Sequence, residues 1–298
     1  MTRQTEKLRA LLATDSCHTL ACCWDGLSAK MIEQAGFPAT FMSGFAVSAA
    51  RIAQPDLGLM SYGEILDQGQ NICSAVDMPV IGDGDTGYGN ALNVKRTVAG
   101  YARAGFACIM IEDQVAPKRC GHTKGKLVVD RQEAADRIRA AVDAREELRE
   151  HGGDILIMSR TDARASHGLG EAIDRVNDAR ELGADMLFIE APETIEEMRQ
   201  LTADAPGAHM ANLVQGGKTP ILSADELADV GYRIAIHPLA LMASAMQAIK
   251  DCLGDIKAGI DPEHRMMPFD ELKRTVGFDA YYEAERKYAT SQRSEAAE

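Results

Sequence analysis

The stretch Cys108-Ile109-Met110-Ile111-Glu112-Asp113 shows the pattern that decides the fold. Its four apolar residues are too few for a helix and are typical of a short buried strand that ends in two acids. A polar loop rich in Gly and Lys follows, and then a helix-length segment at 131–150. The same order of apolar run, polar loop and helical segment is repeated along most of the chain.

Eight such apolar runs are predicted as strands: 19–23, 39–42, 80–82, 108–111, 155–159, 186–189, 209–212 and 233–236. Eight strand–helix units within one domain's length predict an α/β fold, a closed (β/α)8 TIM barrel, and disfavour an open doubly wound sheet. No G-x-G-x-x-G turn follows the first run, which argues against a dinucleotide-binding domain.

Helices are also predicted outside the repeating units, at 4–13 before the first strand and at 270–274 and 278–288 after the last. We therefore predict a catalytic barrel over 1–255 and a C-terminal helical extension of the same domain over 256–298. Packing of its aromatic residues against the barrel is one reading of this extension.

Composition narrows the class of protein. The 298 residues carry a formal net charge of -13, which argues against nucleic acid or an anionic membrane surface as a partner. Seven irregularly spaced cysteines without a CxxC pair indicate reduced thiols. No apolar run approaches a membrane span and the first residues lack the apolar core of a secretory signal, so we expect a cytoplasmic protein.

Polar residues end every predicted strand, where the active site of a barrel enzyme is built. Any one of them could instead cap the helix that follows. As a set they predict a polar active-site mouth, made of Trp24, Asp25, Ser43, Gly44, Asp83, Asp85, Glu112, Asp113, Arg160, Asp162, Glu190, Asn212 and His237.

Asp83 and Asp85 are candidate metal ligands. Two residues apart in an extended segment, their side chains would point the same way. With Glu112 nearby, such carboxylates suit a hard cation, Mg2+ or Mn2+. The alternative is an ordinary Asp-Gly turn, and the residues alone leave both open.

Cys120 is a candidate reactive thiol because Lys118, Arg119 and His122 surround it and Gly121 follows it. Neighbouring cations stabilise a thiolate, so the thiol could serve as a nucleophile or as a proton donor. The alternative is a basic surface loop with an incidental cysteine.

The segment Lys118-Arg119-Cys120-Gly121-His122 resembles the K-[KR]-C-G-H catalytic loop of the isocitrate lyase and phosphoenolpyruvate mutase superfamily. Glu112-Asp113-Gln114 and the segment 82–90 match that superfamily as well. The similarity runs from about Cys17 to the C-terminal helices. It is strongest to the 2-alkylmalate and 2,3-dimethylmalate lyase branch, which includes carboxyvinyl-carboxyphosphonate phosphorylmutase-like proteins.

This resemblance implies a Mg2+-dependent carbon–carbon lyase, with Asp85 as the direct metal ligand and Asp56, Asp83 and Glu112 holding metal-bound water. It implies that a 2-hydroxy di- or tricarboxylic acid is cleaved to a 2-oxo acid such as pyruvate and an enolate that Cys120 protonates. The loop cations Lys118 and His122 would orient the loop and bind the departing carboxylate.

The resemblance further implies a homotetramer, a dimer of dimers in which subunits exchange C-terminal helices. Arg160 is expected to bind a carboxylate or enolate oxygen, or to pair with Glu190 or Asp162. The remaining residues expected to bind substrate or line its pocket are Trp24, Asp25, Ser43, Gly44, Phe45, Gly121, Glu190, Asn212 and Gln215.

Two residues depart from the family pattern. Gln215 stands where close relatives have Glu, and Phe41 stands where isocitrate and methylisocitrate lyases have Tyr, which disfavours isocitrate itself as substrate. The alternatives are an oxaloacetate decarboxylase or 2-oxo acid hydrolase of the same superfamily, a phosphonomutase, and a catalytically silent metabolite-binding barrel.

Overall fold

Eight parallel strands form a closed barrel in chain order, with β8 pairing back onto β1. The computed structural model describes residues 2–118 and 127–288. The strands are β1 His18–Cys23, β2 Thr40–Met42, β3 Val80–Asp83, β4 Cys108–Glu112, β5 Leu156–Thr161, β6 Met186–Ile189, β7 His209–Asn212 and β8 Tyr232–His237. The predicted (β/α)8 barrel is therefore confirmed.

Helices α2 to α10 alternate with the strands along the chain. The helices of the described residues are α1 Arg3–Leu12, α2 Gly26–Gln34, α3 Gly44–Ile52, α4 Tyr62–Ala75, α5 Ala91–Ala104, α6 Arg131–Glu150, α7 Arg164–His167, α8 Leu169–Glu181, α9 Ile195–Asp204, α10 Ala224–Val230, α11 Ala240–Lys257, α12 Phe269–Val276 and α13 Phe278–Tyr288. The sequence did not predict α3 or α7, because α3 starts directly after Ser43 without an intervening polar loop and α7 is a single turn.

The barrel interior is filled by side chains of alternate strand residues, among them Leu20, Phe41, Met110 and Met158. Leu8 of α1 belongs to the same cluster and is fully buried. Arg9 of this helix pairs with Asp154 and Asp185, which precede β5 and β6. The first helix thus closes the amino end of the barrel and leaves the carboxyl ends of the strands for a site.

The chain divides into two compact units, Met1–Ala243 and Ser244–Glu298. The boundary lies within α11, about three helical turns before the predicted limit at residue 255, and the assignment of the second unit to the same domain stays a prediction. In that unit Phe269 and Tyr281 are 72% and 68% exposed. Exchange of C-terminal helices between subunits also stays a prediction. Within the two described ranges, no helix has both the length and the apolarity to cross a membrane.

Candidate active site

A cavity opens at the carboxyl ends of the strands, and eight of the predicted site residues line it. Its polar wall contains Asp56, Asp83, Arg160, Glu190 and Asn212, together with the start of α3 at 43–45. The strand ends come together here because all eight strands run in one direction. Polar groups from six separate parts of the chain therefore face one space.

The rest of the cavity lining is mostly apolar. Phe41, Met110 and Phe188 extend from strands, and Val214 and Leu239 follow β7 and β8. A lining that combines apolar and charged groups suits a small acid that also carries a hydrocarbon portion.

The start of α3 presents backbone donors to the cavity. Ser43 is the N-cap, and its hydroxyl accepts a hydrogen bond from the Ala46 N–H at 3.3 Å. The N–H groups of Gly44 and Phe45 lie in the first turn, where helix geometry supplies no acceptor and favours an anion. A β-carbon at Gly44 would lie 2.5 Å from Asp83 Oδ2, so only glycine permits this approach. The predicted carboxylate cradle therefore has the geometry of a helix N-terminus.

Arg160 is buried within a ring of carboxylates. Its Nε lies 3.3 Å from Glu112 Oε2 and 3.0 Å from Asp162 Oδ2, and its Nη2 lies 3.1 Å from Glu190 Oε2. Burial opposes the charge, but these carboxylates outweigh it and raise the pKa of Arg160 well above its ordinary value. The predicted ion pairs to Asp162 and Glu190 are present, and the residue also faces the cavity.

Glu112 is 1% exposed, and neither of its carboxyl oxygens has a hydrogen-bond partner within residues 2–118 and 127–288. Burial raises its pKa well above the ordinary value, more than Arg160 and Lys118 lower it. A buried carboxyl without hydrogen bonds is costly unless a further partner completes its environment. The carboxyl of Glu112 is therefore suited to a water held by a cation, or to a proton.

The carboxylates of Asp56 and Asp85 converge on the ammonium group of Lys118. Lys118 Nζ lies 2.7 Å from Asp56 Oδ1 and 2.7 Å from Asp85 Oδ1. Burial raises the pKa of Asp85 to about 6, although Lys118 works in the opposite direction. Burial disfavours the charge on Lys118, but the carboxylates of Asp85 and Asp83 raise its pKa well above the ordinary value.

Asp83 and Asp85 do not share an extended segment, so the prediction that their side chains point the same way for that reason was wrong. Strand β3 ends at Asp83, and Asp85 has a left-handed backbone with φ of 48°. The segment is therefore a turn, and the Asp85 N–H donates to Asp83 Oδ1 at 3.0 Å. The turn and the carboxylate cluster, which the residues alone presented as alternatives, occur together.

These carboxylates fit a hard divalent cation better than a soft one. Within residues 2–118 and 127–288, no group of three or more His, Cys, Asp or Glu side chains could enclose a metal by itself. Mg2+ does not require such a cage, because it retains several waters and takes one or two protein carboxylates. Asp85, with Asp83, Asp56 and Glu112 near it, satisfies that requirement.

Three of the other predicted residues do not line the cavity, and two that do line it contact each other. Asp25 is the N-cap of α2 and accepts from the Ser28 N–H at 2.7 Å, and Trp24 is half-buried against the outer core. Gln215 is exposed, with its amide 3.0 Å from His237 Nδ1. Asn212 Nδ2 lies 3.3 Å from Glu190 Oε2. The structure thus brings Asn212 and Glu190 together, and it does not place Trp24, Asp25 or Gln215 on the cavity wall.

Arg119, Cys120, Gly121 and His122 lie outside the described residues. Their predicted roles therefore stay predictions. Lys118 is the last described residue before them, and its ammonium group reaches the carboxylates.

Sequence reasoning missed a buried network beneath the site. Asp113 Oδ2 accepts hydrogen bonds from the Thr161 hydroxyl at 2.6 Å and from Arg175 Nη1 at 3.0 Å, and Asp113 Oδ1 accepts from the Asp162 N–H at 3.0 Å. Burial raises the pKa of Asp113, which these donors partly offset. The only signal in the sequence was an acid at 113 that the strand's alternation directs away from the barrel interior.

A closed parallel barrel with its ionisable groups gathered at the carboxyl ends of the strands is the arrangement of TIM-barrel enzymes. The family model described as phosphoenolpyruvate phosphomutase matches residues 8–257. The chain belongs to this family, within the PEP mutase/isocitrate lyase superfamily, as the loop motif predicted.

Individual relatives resemble nearly the whole chain. The 2,3-dimethylmalate lyase of Eubacterium barkeri is 41% identical over 95% of this chain and 98% of its own. The 2-methylisocitrate lyase of Halalkalibacterium halodurans is 35% identical over 96% and 92%. A solved structure of oxaloacetate acetylhydrolase with the inhibitor 3,3-difluorooxalacetate superposes with a TM-score of 0.90 at 34% identity, covering 97% of this chain and 98% of that one. The chain is therefore an enzyme of this superfamily.

Proposed function

We propose that this enzyme is a carbon–carbon lyase that cleaves a 2-hydroxy di- or tricarboxylic acid into a 2-oxo acid such as pyruvate and a second carboxylate. The substrate class is that of the 2-alkylmalates, 2,3-dimethylmalate and 2-methylisocitrate. One observation carries the proposal: Arg160, the start of α3, Asp56 and Asp83 all line a single cavity, and Lys118 joins Asp56 to Asp85. The similarity to 2,3-dimethylmalate lyase and 2-methylisocitrate lyase supports it.

In this proposal Asp85 would hold Mg2+, or Mn2+, directly, and Asp56, Asp83 and Glu112 would hold it through water. A bound Mg2+ would supply Lewis acidity toward the hydroxyl and carboxylate oxygens of a 2-hydroxy acid. The N–H groups of Gly44 and Phe45 bind the carboxylate next to the hydroxyl carbon. Arg160 binds a carboxylate or the developing enolate oxygen through its planar guanidinium group.

Cleavage breaks the bond between C2 and C3. The hydroxyl gives its proton to water or to a carboxylate of the site, its electron pair forms the C2 carbonyl, and the electrons of the broken bond pass to C3. The C3 carbanion, stabilised as the enolate of its carboxylate, then takes a proton from the Cys120 thiol. Lys118 and His122 orient the loop and bind the departing carboxylate. Asn212 binds the outer carboxylate, and Glu190 holds the side chains of Asn212 and Arg160 beside it.

The test is a coupled pyruvate assay on 2-methylmalate, 2,3-dimethylmalate, 2-methylisocitrate and oxaloacetate, with Mg2+ and with EDTA. We expect at least one of the three hydroxy acids to release pyruvate with Mg2+ and none to do so with EDTA. If no hydroxy acid is cleaved under either condition, the lyase proposal fails.

Hydrolysis or decarboxylation of oxaloacetate is the second candidate, and the similarity to oxaloacetate acetylhydrolase favours it. Hydrolysis yields oxalate and acetate, whereas decarboxylation yields pyruvate and carbon dioxide. Product analysis on oxaloacetate therefore separates the two from each other and from the lyase. A phosphonomutase or a silent binding barrel is a weaker candidate, because neither accounts for the Cys120 loop motif in the sequence.

We also propose that the enzyme is a cytoplasmic homotetramer that exchanges C-terminal helices between subunits. The exposure of Phe269 and Tyr281 in the second compact unit supports an additional contact surface there. Light scattering during size-exclusion chromatography of the full chain would give its mass. A monomeric mass at micromolar concentration would contradict this assembly.

A further inference from the structure

The loop between β4 and α6 begins and ends in two short segments, 113–115 and 127–129, which pair antiparallel. We call this pair of segments the base of the loop. The Val115 N–H donates to the Leu127 carbonyl at 2.8 Å, and the Val129 N–H donates to the Asp113 carbonyl at 2.9 Å. Lys118, whose ammonium group reaches Asp85, lies three residues beyond Val115. The geometry of this base therefore sets where Lys118 stands relative to the carboxylates.

Two buried arginines of the outer helices hold this base. Arg175 of α8 donates from one nitrogen, Nη1, to Asp113 Oδ2 at 3.0 Å and to the Val129 carbonyl at 2.9 Å. These two acceptors lie on opposite strands of the base. Arg137 of α6 donates to the carbonyls of Glu112 and Gln114 at 3.2 and 2.9 Å.

Asp113 connects this clamp to the catalytic wall. Besides Arg175, its carboxylate accepts from the Thr161 hydroxyl and the Asp162 N–H at the end of β5. The Asp162 carboxylate in turn accepts from Arg160 Nε at 3.0 Å. A continuous series of hydrogen bonds thus runs from α8 to the guanidinium group in the cavity.

We propose that Arg175 is a positioning residue, which fixes the base of the β4–α6 loop and, through Asp113 and Asp162, the orientation of Arg160. Arg175 does not line the cavity at the strand ends, so its effect on the reaction is indirect. Its forked group is needed because one side chain must satisfy acceptors on both strands and also Glu171 of its own helix, 2.8 Å from Nε.

The first test is hydrogen exchange of the backbone amides of Val115 and Val129 in the full-length Arg175→Met variant. Loss of the clamp should speed exchange at both amides by at least roughly tenfold, whereas β6 amides should change little. Arg175→Lys keeps the charge opposite Asp113 and should give an intermediate rate. It also provides a test if the methionine variant does not fold.

Arg145 offers a matched control. It is equally buried, and it pairs with the Asp185 carboxylate at 2.6 Å and the Gly183 carbonyl at 3.0 Å near the amino end of the barrel. Arg145→Met removes the same kind of contacts without touching the loop base. If it accelerates exchange at Val115 and Val129 as much as Arg175→Met does, Arg175 has only a general structural role and the proposal is overturned.

The second test is kinetic and rests on the proposed lyase reaction. Arg175→Met should lower kcat by roughly tenfold or more while KM rises less, and Arg175→Lys should recover part of kcat. An unchanged kcat in Arg175→Met would contradict the link to Arg160. If the enzyme proves not to be a lyase, the exchange experiment still decides whether Arg175 clamps the loop.

Discussion

The ammonium group of Lys118 lies 2.7 Å from a carboxylate oxygen of Asp85, the residue proposed to bind the metal directly. The same nitrogen contacts Asp56 at 2.7 Å. A fixed cation in this place neutralises the carboxylates and also competes with a divalent ion for them. Lys118 should therefore influence metal affinity as well as catalysis.

The Lys118→Met variant should bind Mg2+ more tightly and react more slowly. Removing the competing charge should lower the dissociation constant roughly tenfold, about 1.4 kcal/mol. Losing the electrostatic group should lower kcat by roughly 100-fold. Calorimetric Mg2+ titration and steady-state kinetics measure the two effects. Lys95→Met, which removes an ion pair to Glu147 on the barrel exterior, is the control and should change neither. Weaker Mg2+ binding in Lys118→Met would show that Lys118 assists the metal and does not compete with it.

The Gly44→Ala variant should weaken substrate binding. Its β-carbon would meet Asp83 Oδ2 at 2.5 Å and push the start of α3 away from the cavity. Loss of a charge-assisted hydrogen bond from the first turn should raise KM roughly tenfold. Gly63→Ala in the first turn of α4 is the matched control, because nothing lies within 4 Å of the added carbon. Equal KM values for the two variants would show that the start of α3 does not bind the substrate.

Stability should fall in acid partly because of His209. This residue is 1% exposed, and burial lowers its pKa to about 4 from 6.5, although the Ala205 carbonyl raises it slightly. Between pH 6.5 and 4 the unfolded chain binds a proton that the folded chain excludes, so the free energy of unfolding falls as the pH falls. The contribution reaches about 3 kcal/mol near pH 4.

Urea unfolding of the native chain and of His209→Gln across this pH range isolates that contribution. All other titrating groups act in both proteins, so the difference between the two stabilities should shrink as the pH falls. A difference that stays constant from pH 7 to pH 4 would mean that His209 does not resist protonation.

The Cys120→Ser variant should lose most of its activity and keep its metal site. A serine hydroxyl is a far weaker acid than a thiol, so protonation of the carbanion should slow by roughly 100-fold or more. Mg2+ affinity should stay unchanged, because the proposed ligands are Asp85 and its neighbours. Cys252→Ser, in the second compact unit, is the control for loss of a thiol. Full activity in Cys120→Ser would exclude the thiol as proton donor.

The barrel was predictable because its strands are short, apolar and regularly spaced. The run at 186–189 was predicted with the bounds that β6 has, and the segment 131–150 likewise with those of α6. Helix α3 was missed because Ser43 follows β2 directly and is already the N-cap of the helix. A helix that follows a strand without a loop gives no change of composition to recognise.

The candidate site was predictable in its membership more than in its geometry. Strand ends identified Arg160, Glu190 and Asn212, since a parallel barrel brings strand ends together. They could not show that Asp85 has a left-handed backbone, which depends on the turn around it. Nor could they show Arg175, which lies on an outer helix and acts through Asp113. Such contacts depend on packing between elements that are far apart in sequence.

The proposed lyase reaction is tested most directly by the products formed from 2,3-dimethylmalate. Nuclear magnetic resonance of a reaction with Mg2+ should show pyruvate and propionate appearing in equal amounts as the substrate disappears. In deuterium oxide the propionate should carry one deuterium at the carbon that was C3. If the same preparation turns over oxaloacetate but cleaves none of the three hydroxy acids, the lyase assignment is contradicted.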